Sequence, residues 1–365
     1  MHLCNPNNNY TISKDLSERI NIFRLIMTIL VIFNHANSSI SLFSGEAMVV
    51  ETAEWVYQSK YIIAQFFGRA TVPGFFMISA ILLYRKPFNW ATNIKRKLRS
   101  IAVPYFIINC GWILLFFIFQ QLPYTASIFG NESNIIANWD LRRWCNALFG
   151  ALGSTVPFVY PLWFLRDLFI MNLLAGIIWK LVDKLPEPTL IAALVAWLWF
   201  AVSNGSVPDY QSVCFWIFGT YIVKRNINLS KIDKIPTIVI TLLLALSIYA
   251  EWLHRYDLNY LVLYNLSITL ALILVFRLCA YIKGAKLRAA LLWLSGYSFS
   301  IYLFHEFTTL TFRKLLAIIL PAGDIFFFAQ FILTPFIIAG FCLGLSLVLK
   351  KIMPRFYALL SGGRA

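Results

Sequence analysis

Residues 20–43 read INIFRLIMTILVIFNHANSSISLF, and this stretch decides the fold. A bilayer core of about 30 Å needs about 20 consecutive apolar residues in a helix. The ionisable residues inside the stretch are Arg24 and His35. The run is too long and too interrupted for a cleaved signal peptide, so we predict a membrane-spanning helix that stays in the protein.

The rest of the chain repeats this pattern. Of its 365 residues, 60% are hydrophobic and 13% are charged, about half the usual charged share, which excludes a water-soluble protein. We predict an all-α polytopic membrane protein with about ten helices in one domain, 1–365, between a polar N-terminus (1–19) and a basic tail (350–365). The predicted spans are 20–43, 61–84, 101–122, 158–181, 190–204, 210–223, 236–253, 258–282, 291–312 and 325–349.

The distribution of charge predicts the orientation. If both termini are cytoplasmic, most of the 31 Lys and Arg residues lie on the inner side, as the positive-inside rule requires. The net charge of +15 therefore reflects topology, and no nucleic-acid partner is expected. The six cysteines show no C-x-x-C spacing, so the sequence predicts no metal site, and no permanently bound cofactor is expected.

Ionisable residues inside spans are candidates for function because their burial is costly. Arg24 and His35 are eleven residues apart, about three turns plus 20°, so they project from one helix face about 16.5 Å apart. Structural readings stay open for both: Arg24 can extend to the headgroups, and His35 can hydrogen-bond a neighbouring helix. Arg69, just before TVPGFFMISA, is a further buried charge.

Two later spans carry polar side chains as well. In LSGYSFSIYLFHEF (294–307), Ser298, Tyr302 and His305 line one stripe, with Glu306 beside it. This stripe is either a polar seam between helices or part of a site. In PLWFLRDLFIMN (161–172), Arg166 and Asp167 either serve structure or contact substrate.

Four motifs together resemble the membrane-bound acyltransferase-3 family, bacterial enzymes that O-acylate surface polysaccharides. They are R-x10-H (Arg24, His35), VPGFFMISAILLY (72–84), R-x-x-R (Arg96, Arg99), and the aromatic pair PLWFL, around Trp163, and SFSIYLFH, ending at His305. Ala80 stands where the family usually has glycine. The resemblance implies a ten-helix enzyme of the bacterial cytoplasmic (inner) membrane.

The resemblance also implies the substrates and the roles of individual residues. Cytoplasmic acyl-CoA, here acetyl-CoA, would be the co-substrate, and a cell-surface or lipid-linked glycan the acceptor. His35 is the expected general base, since imidazole titrates near neutral pH. Donor binding is assigned to Arg24, Arg69, Arg96 and Arg99, and acceptor binding or support to Trp163, Arg166, Asp167, Tyr302, His305 and Glu306. Glu306 or Asp167 could orient His35.

Two other classes of function remain open at this point. A secondary transporter also has buried charges and helices broken by Gly and Pro, although we find no inverted repeat. A structural scaffold would leave Arg24, His35 and Arg69 unexplained. The expected partners are membrane lipid, acyl-CoA and a saccharide, with homodimerisation left open.

Overall fold

The computed structural model describes residues 3–4, 10–37, 40–41, 47–48, 52–129, 135–151, 155–200, 205–255, 257, 260–319 and 323–363. These residues are almost entirely helical, which confirms the all-α prediction. The α-helices are α1 Lys14–Ala36, α2 Glu54–Tyr61, α3 Thr71–Tyr84, α4 Trp90–Lys97, α5 Val103–Gln121, α6 Ala126–Phe129, α7 Leu141–Phe149, α8 Trp163–Lys184, α9 Pro186–Trp199, α10 Tyr210–Lys224, α11 Thr237–Leu253, α12 Tyr260–Leu278, α13 Ala285–Ser295, α14 Ser298–Ile319, α15 Asp324–Ile352 and α16 Pro354–Leu360.

Shorter elements connect these helices. Two π-helical segments, Ile62–Gly68 and Leu98–Ala102, precede α3 and α5, and 3₁₀ turns cover Ile136–Asn138, Tyr160–Leu162, Leu229–Lys234 and Cys279–Tyr281. Two-residue strands form two small antiparallel pairs: β1 Leu3–Cys4 with β4 Phe88–Asn89, and β2 Ile40–Ser41 with β3 Ala47–Met48. The first π segment ends just before Arg69, and the second contains Arg99. Short π-helical segments are frequent at functional sites.

Each of the ten predicted spans coincides with one or two of these helices. The first differs most, because α1 begins at Lys14, inside the segment predicted as a polar terminus, and ends at Ala36. Ser13 starts it by accepting a hydrogen bond from the backbone N–H of Leu16. The end follows from the polar sequence N-H-A-N, whose Asn residues have low helix propensity. His35 therefore lies in the last turn of α1.

Five helical segments of the described chain are long and apolar enough to cross a membrane: Glu54–Tyr84, Trp90–Gln121, Tyr160–Lys184, Tyr260–Tyr281 and Asp324–Ile352. A sixth results if α13 and α14, broken near Gly296, count as one span. The protein is thus polytopic. The count of ten and the cytoplasmic location of both termini stay predictions.

The chain forms two compact units that alternate along the sequence. Unit 1 contains residues 1–31, 62–97 and 167–298, and unit 2 contains residues 32–61, 98–166 and 299–365. The single-domain organisation stays a prediction.

In unit 1, α3 and α10 approach closely at Gly219. A Cβ atom there would overlap the carbonyl oxygen of Met77 and lie 2.8 Å from the Cβ of Ala80. The glycine that permits this approach therefore belongs to α10, and alanine is accommodated at position 80.

A buried arginine fixes the start of α1 in unit 1. Arg19 donates from Nε and Nη2 to the carbonyl oxygen of Phe276, at 3.0 and 2.8 Å, and from Nη1 to Asp233 at 2.9 Å. Its guanidinium also lies 4.0 Å from the centre of the Phe276 ring. A buried cation needs such a set of partners. Sequence reasoning did not indicate this role, because Arg19 belongs to a polar segment.

Candidate active site

The centre of the candidate site is the pair His35 and Glu306 in unit 2. His35 lies in the last turn of α1 and Glu306 in the third turn of α14, and their atoms Nδ1 and Oε2 are 3.1 Å apart. Both side chains are mostly buried, with 16% and 14% exposed. The two atoms are within ion-pair distance, but they are not aligned for a hydrogen bond, since Oε2 of Glu306 has no hydrogen-bond partner among the described residues. Apo enzymes often hold catalytic pairs in such loose geometry.

His305 joins this pair. Its ring is fully buried and lies 5.0 Å from the His35 ring, measured between centroids. Its Nδ1 is 2.6 Å from the carbonyl oxygen of Tyr302, which can only accept, so Nδ1 carries the proton. Nε2 consequently presents a lone pair, 4.0 Å from the carboxylate of Glu306 and without a hydrogen-bond partner in the described part of the chain.

Tyr302 and Tyr160 complete the surroundings of His35. The Tyr302 hydroxyl donates to the carbonyl oxygen of Pro161 and so ties α14 to the 3₁₀ turn before α8. Tyr160, the first residue of that turn, presents its ring edge-on to His35 at 5.8 Å between centroids. The ring is half exposed, which leaves an open aromatic surface beside the histidine. The sequence did not single out Tyr160.

A buried amide positions the segment that leads to Tyr160. Asn109 on α5 donates to the carbonyl oxygen of Ala147 at 2.7 Å and accepts from the backbone N–H of Val159 at 3.0 Å. Arg166 continues this support, since its Nη1 donates to the carbonyl oxygens of Phe149, Gly150 and Thr155. These bonds favour the structural reading of Arg166.

Asp167 and Trp163 lie near that segment in sequence but take other places. Asp167 is fully buried in unit 1 and accepts from the backbone N–H of Asp209 at 2.7 Å. Of the two carboxylates considered as orienting groups for His35, Glu306 is therefore the one found beside it. Trp163 is the half-buried first residue of α8.

The residues predicted to bind the donor do not belong to the His35 cluster. Arg24, Arg69 and Arg96 belong to unit 1, and Arg99 to unit 2. Arg24 is half-buried, and its guanidinium makes no hydrogen bond or ion pair with any described residue. Its carbonyl oxygen accepts from the Thr28 hydroxyl at 2.9 Å. Donor binding by Arg24 stays a prediction.

The other three arginines have different settings. Arg69 donates from Nε to Gln65 at 2.9 Å, and Gln65 also accepts from the Tyr264 hydroxyl at 3.0 Å. Arg96 is exposed and donates to Asn93 at 2.9 Å, and Arg99 is exposed as well. Arg96 and Arg99 are thus available to a polyanionic ligand in solution.

A cation near His35 was missed because its sequence context is that of a loop. Arg313 on α14 is 6% exposed, and its Nη1 is 3.4 Å from the carbonyl oxygen of His35. Lys60, the next-to-last residue of α2, is half-buried and close enough to Arg313 for the two charges to repel. The seven-residue spacing from Glu306 to Arg313, two helical turns, was the signal in the sequence.

The cluster also has the residue types of a metal site. One ligand atom each from His35, His305 and Glu306 lies within 4.8 Å of the others. These three atoms can bind a divalent ion only if the side chains move closer together, because metal ligands lie about 2.0–2.2 Å from zinc. The positive charge of Arg313, attracted to Glu306, opposes a cation there. The expectation of no metal stays a prediction.

Comparison with known protein families gives a match over nearly the whole chain. The chain belongs to the acyltransferase-3 family, whose model, described as an acyltransferase domain, matches residues 17–351. Membership of this family agrees with the predicted enzyme class, acyltransferase, and favours it over the transporter interpretation. It is 25% identical over 239 residues to the succinoglycan biosynthesis protein ExoH of Rhizobium meliloti (strain 1021). That alignment covers 64% of this chain and 61% of the relative. No solved structure matches.

Proposed function

We propose that the protein transfers an acetyl group from cytoplasmic acetyl-CoA to a hydroxyl of a cell-surface or lipid-linked glycan, with His35 as general base. The observation that carries this proposal is the 3.1 Å approach of Glu306 to Nδ1 of His35. A carboxylate at one ring nitrogen holds the proton there and leaves the other nitrogen as the base. It also stabilises the imidazolium that forms.

The chemical step then uses the other ring nitrogen of His35. Nε2 of His35 takes the proton from the acceptor hydroxyl while the hydroxyl oxygen attacks the thioester carbonyl carbon. The carbon–sulfur bond breaks, CoA leaves, and its thiolate takes up the proton from His35. An ester and free CoA result, with no oxidant or reductant needed. The lone pair of His305 Nε2 offers a second acceptor for a sugar hydroxyl.

The donor is polyanionic, so its binding site has to be cationic. Arg24, whose guanidinium has no described partner, suits a phosphate in the membrane, and the exposed Arg96 and Arg99 suit phosphates at the surface. Arg24 and His35 are both residues of α1, eleven positions apart in the sequence.

The acceptor is proposed to be a polysaccharide or its lipid-linked precursor. The support is the printed name of the relative, a protein of succinoglycan biosynthesis. The half-exposed Tyr160 ring fits this class, because aromatic rings offer an apolar face on which a sugar ring can stack. The proposed location is the bacterial inner membrane, where cytoplasmic donor and outward-facing acceptor meet.

The test is acyl transfer by purified protein in detergent. We expect free CoA to appear when radiolabelled acetyl-CoA and glycan are supplied, and the label to move to the glycan. His35→Ala should lower the rate at least about 100-fold, the usual contribution of a general base. His254→Ala is the matched control, since His254 also lies beside a carboxylate, Asp257 at 2.7 Å, but is half exposed. Retention of more than about a tenth of the rate in His35→Ala would contradict the proposal.

A further inference from the structure

Two buried asparagines connect α4 to α8 in unit 1. Asn93 of α4 and Asn172 of α8 are 2% and 1% exposed, and Nδ2 of Asn93 donates to Oδ1 of Asn172 at 3.2 Å. Nδ2 of Asn172 in turn donates to the backbone carbonyl oxygen of Leu168 at 2.7 Å. At the other end, Oδ1 of Asn93 accepts from Nη2 of the exposed Arg96 at 2.9 Å. The four residues thus form one chain of hydrogen bonds from a buried carbonyl group to an exposed arginine.

The carbonyl group of Leu168 sets the direction of this chain. A carbonyl oxygen can only accept, so the amide nitrogen of Asn172 faces it and the amide oxygen faces Asn93. That amide oxygen also only accepts, so Asn93 uses its nitrogen for Asn172 and keeps its oxygen for another donor. An unpaired buried acceptor is costly, and Arg96, three residues further along α4, supplies the donor.

Attachment of α4 to α8 explains only part of this chain. Trp90 already joins the two helices, since its Nε1 donates to the carbonyl oxygen of Leu173 at 3.0 Å. A pair of apolar side chains would pack α4 onto α8 without two amides that have to be satisfied. The attachment also does not account for the bond to Arg96, whose side chain is exposed. What the asparagine pair adds is a fixed orientation of the Arg96 guanidinium.

A guanidinium in a fixed orientation is suited to bind a phosphate. The bond to Asn93 uses one of the five N–H donors of Arg96, and the remaining donors have no partner among the described residues. Phosphate oxygens match the planar fork of these donors. An arginine that is ordered before binding loses less side-chain entropy when the ligand arrives, so the fixed orientation increases affinity.

We propose that Asn93 and Asn172 are positioning residues for donor binding, which hold Arg96 in the orientation in which it binds a phosphate of CoA. Neither asparagine contacts the ligand. The inference rests on the proposed function, since it takes Arg96 as a donor-binding residue. It goes beyond that function because it assigns part of the donor affinity to side chains that are buried between α4 and α8.

The test is the affinity for CoA of an Asn93→Leu, Asn172→Leu double variant. Replacing both partners by apolar side chains of similar size leaves no unpaired amide, so the protein should fold. We expect CoA to bind about two- to tenfold more weakly than to the wild type, which corresponds to ordering one free arginine side chain on binding. The affinity is measured by calorimetry on the full-length protein in nanodiscs, and folding by gel filtration and thermal unfolding. Asn93→Ala, a smaller change, should show the same loss.

The matched control is a Ser247→Ala, Ser267→Ala double variant. It removes another buried polar pair of unit 1, joined by a hydrogen bond of 2.9 Å between α11 and α12, and it should bind CoA like the wild type. Wild-type affinity in the leucine variant and in Asn93→Ala, or an equal loss in the serine control, would overturn the inference.

A double-mutant cycle with Arg96→Ala decides whether the loss acts through the arginine. Arg96→Ala alone should weaken CoA binding, and the two leucine substitutions should then cause no further loss, because the group that they orient is absent. A merely structural role of the asparagines would give the same loss with and without Arg96, and this result would refute the positioning. An unchanged CoA affinity in Arg96→Ala would refute it as well.

Transfer assays on the wild type separate this inference from the proposed function. Acetyl transfer to the glycan together with additive losses in the cycle refutes the positioning and leaves the function standing. CoA binding with the expected cycle but without transfer refutes the function and leaves the positioning of Arg96 standing. Absence of CoA binding by the wild type would refute both.

Discussion

The carboxylate of Glu306 is the most informative group to remove, because its proposed effect acts through His35. In Glu306→Gln the side chain keeps its size and loses its charge. A hydrogen bond to a charged group contributes about 1.5–3 kcal/mol. If that contribution is made in the transition state, its loss lowers kcat roughly 10- to 150-fold, at about 1.4 kcal/mol per factor of ten. The Michaelis constants should change little, since the interaction is made in the transition state.

The assay follows the free thiol of CoA at saturating substrate, on protein checked by gel filtration and thermal unfolding. Glu306→Asp retains the charge but withdraws it by one methylene from the 3.1 Å position, so its rate should fall between those of the wild type and the glutamine variant. Glu187→Gln, at an exposed glutamate of α9, serves as the control. A folded Glu306→Gln protein with a kcat within about threefold of wild type would refute the pairing, because the loss would lie below the smallest expected value.

Four further results are expected. Arg24→Gln should raise the KM for acetyl-CoA about tenfold and change kcat less, because phosphate contacts far from the reacting carbon bind ground and transition state alike; initial-rate kinetics decide this, and an unchanged KM would refute the role. Tyr160→Leu should raise the acceptor KM about two- to tenfold, whereas Tyr160→Phe should not, if the ring acts as a stacking surface. Gly219→Ala should destabilise the protein by about 1–3 kcal/mol in thermal unfolding, since the new methyl overlaps Met77; Gly344→Ala, whose methyl meets no described atom within 4 Å, should not. A chelator such as phenanthroline should leave the transfer rate unchanged, and a reversible loss of activity would establish a metal at His35.

Much of the helical architecture could be predicted because apolar runs of about 20 residues have few alternatives to membrane helices. The meeting of His35 with His305 and Glu306 was also within reach, since the residues lie at comparable depths in their spans. The end of α1 at Ala36 was not, because the apolar residues that follow continue the same pattern. Helix termini depend on capping and local propensity, which hydropathy does not register.

The basic residues show where sequence reasoning ends. Arg313 has the same neighbours in sequence as any interfacial cation, and only the packing of α14 against the end of α1 brings it to His35. Arg19 was assigned to a polar terminus, yet its partners Asp233 and Phe276 are more than 200 residues away in the chain. Pairings over such separations leave no local signal. Asp167, in contrast, is recognisable in the sequence as an ionisable residue inside a span. The sequence does not show its partner, the backbone N–H of Asp209, from which the fully buried carboxylate accepts a hydrogen bond in unit 1.

The amide of Asn109 has a consequence for how this part of the protein can be altered. By holding Ala147 and Val159, one side chain fixes the register of the chain just before Tyr160 and Pro161. The segment between α5 and α7 packs against the same place, because Ile136 joins Ala147 in an apolar cluster and the Trp139 ring lies 5.9 Å from the Phe158 ring. A recombinant protein that receives a foreign segment between α5 and α7 should therefore keep the position of Tyr160 only if the new segment supplies apolar side chains in place of Ile136 and Trp139.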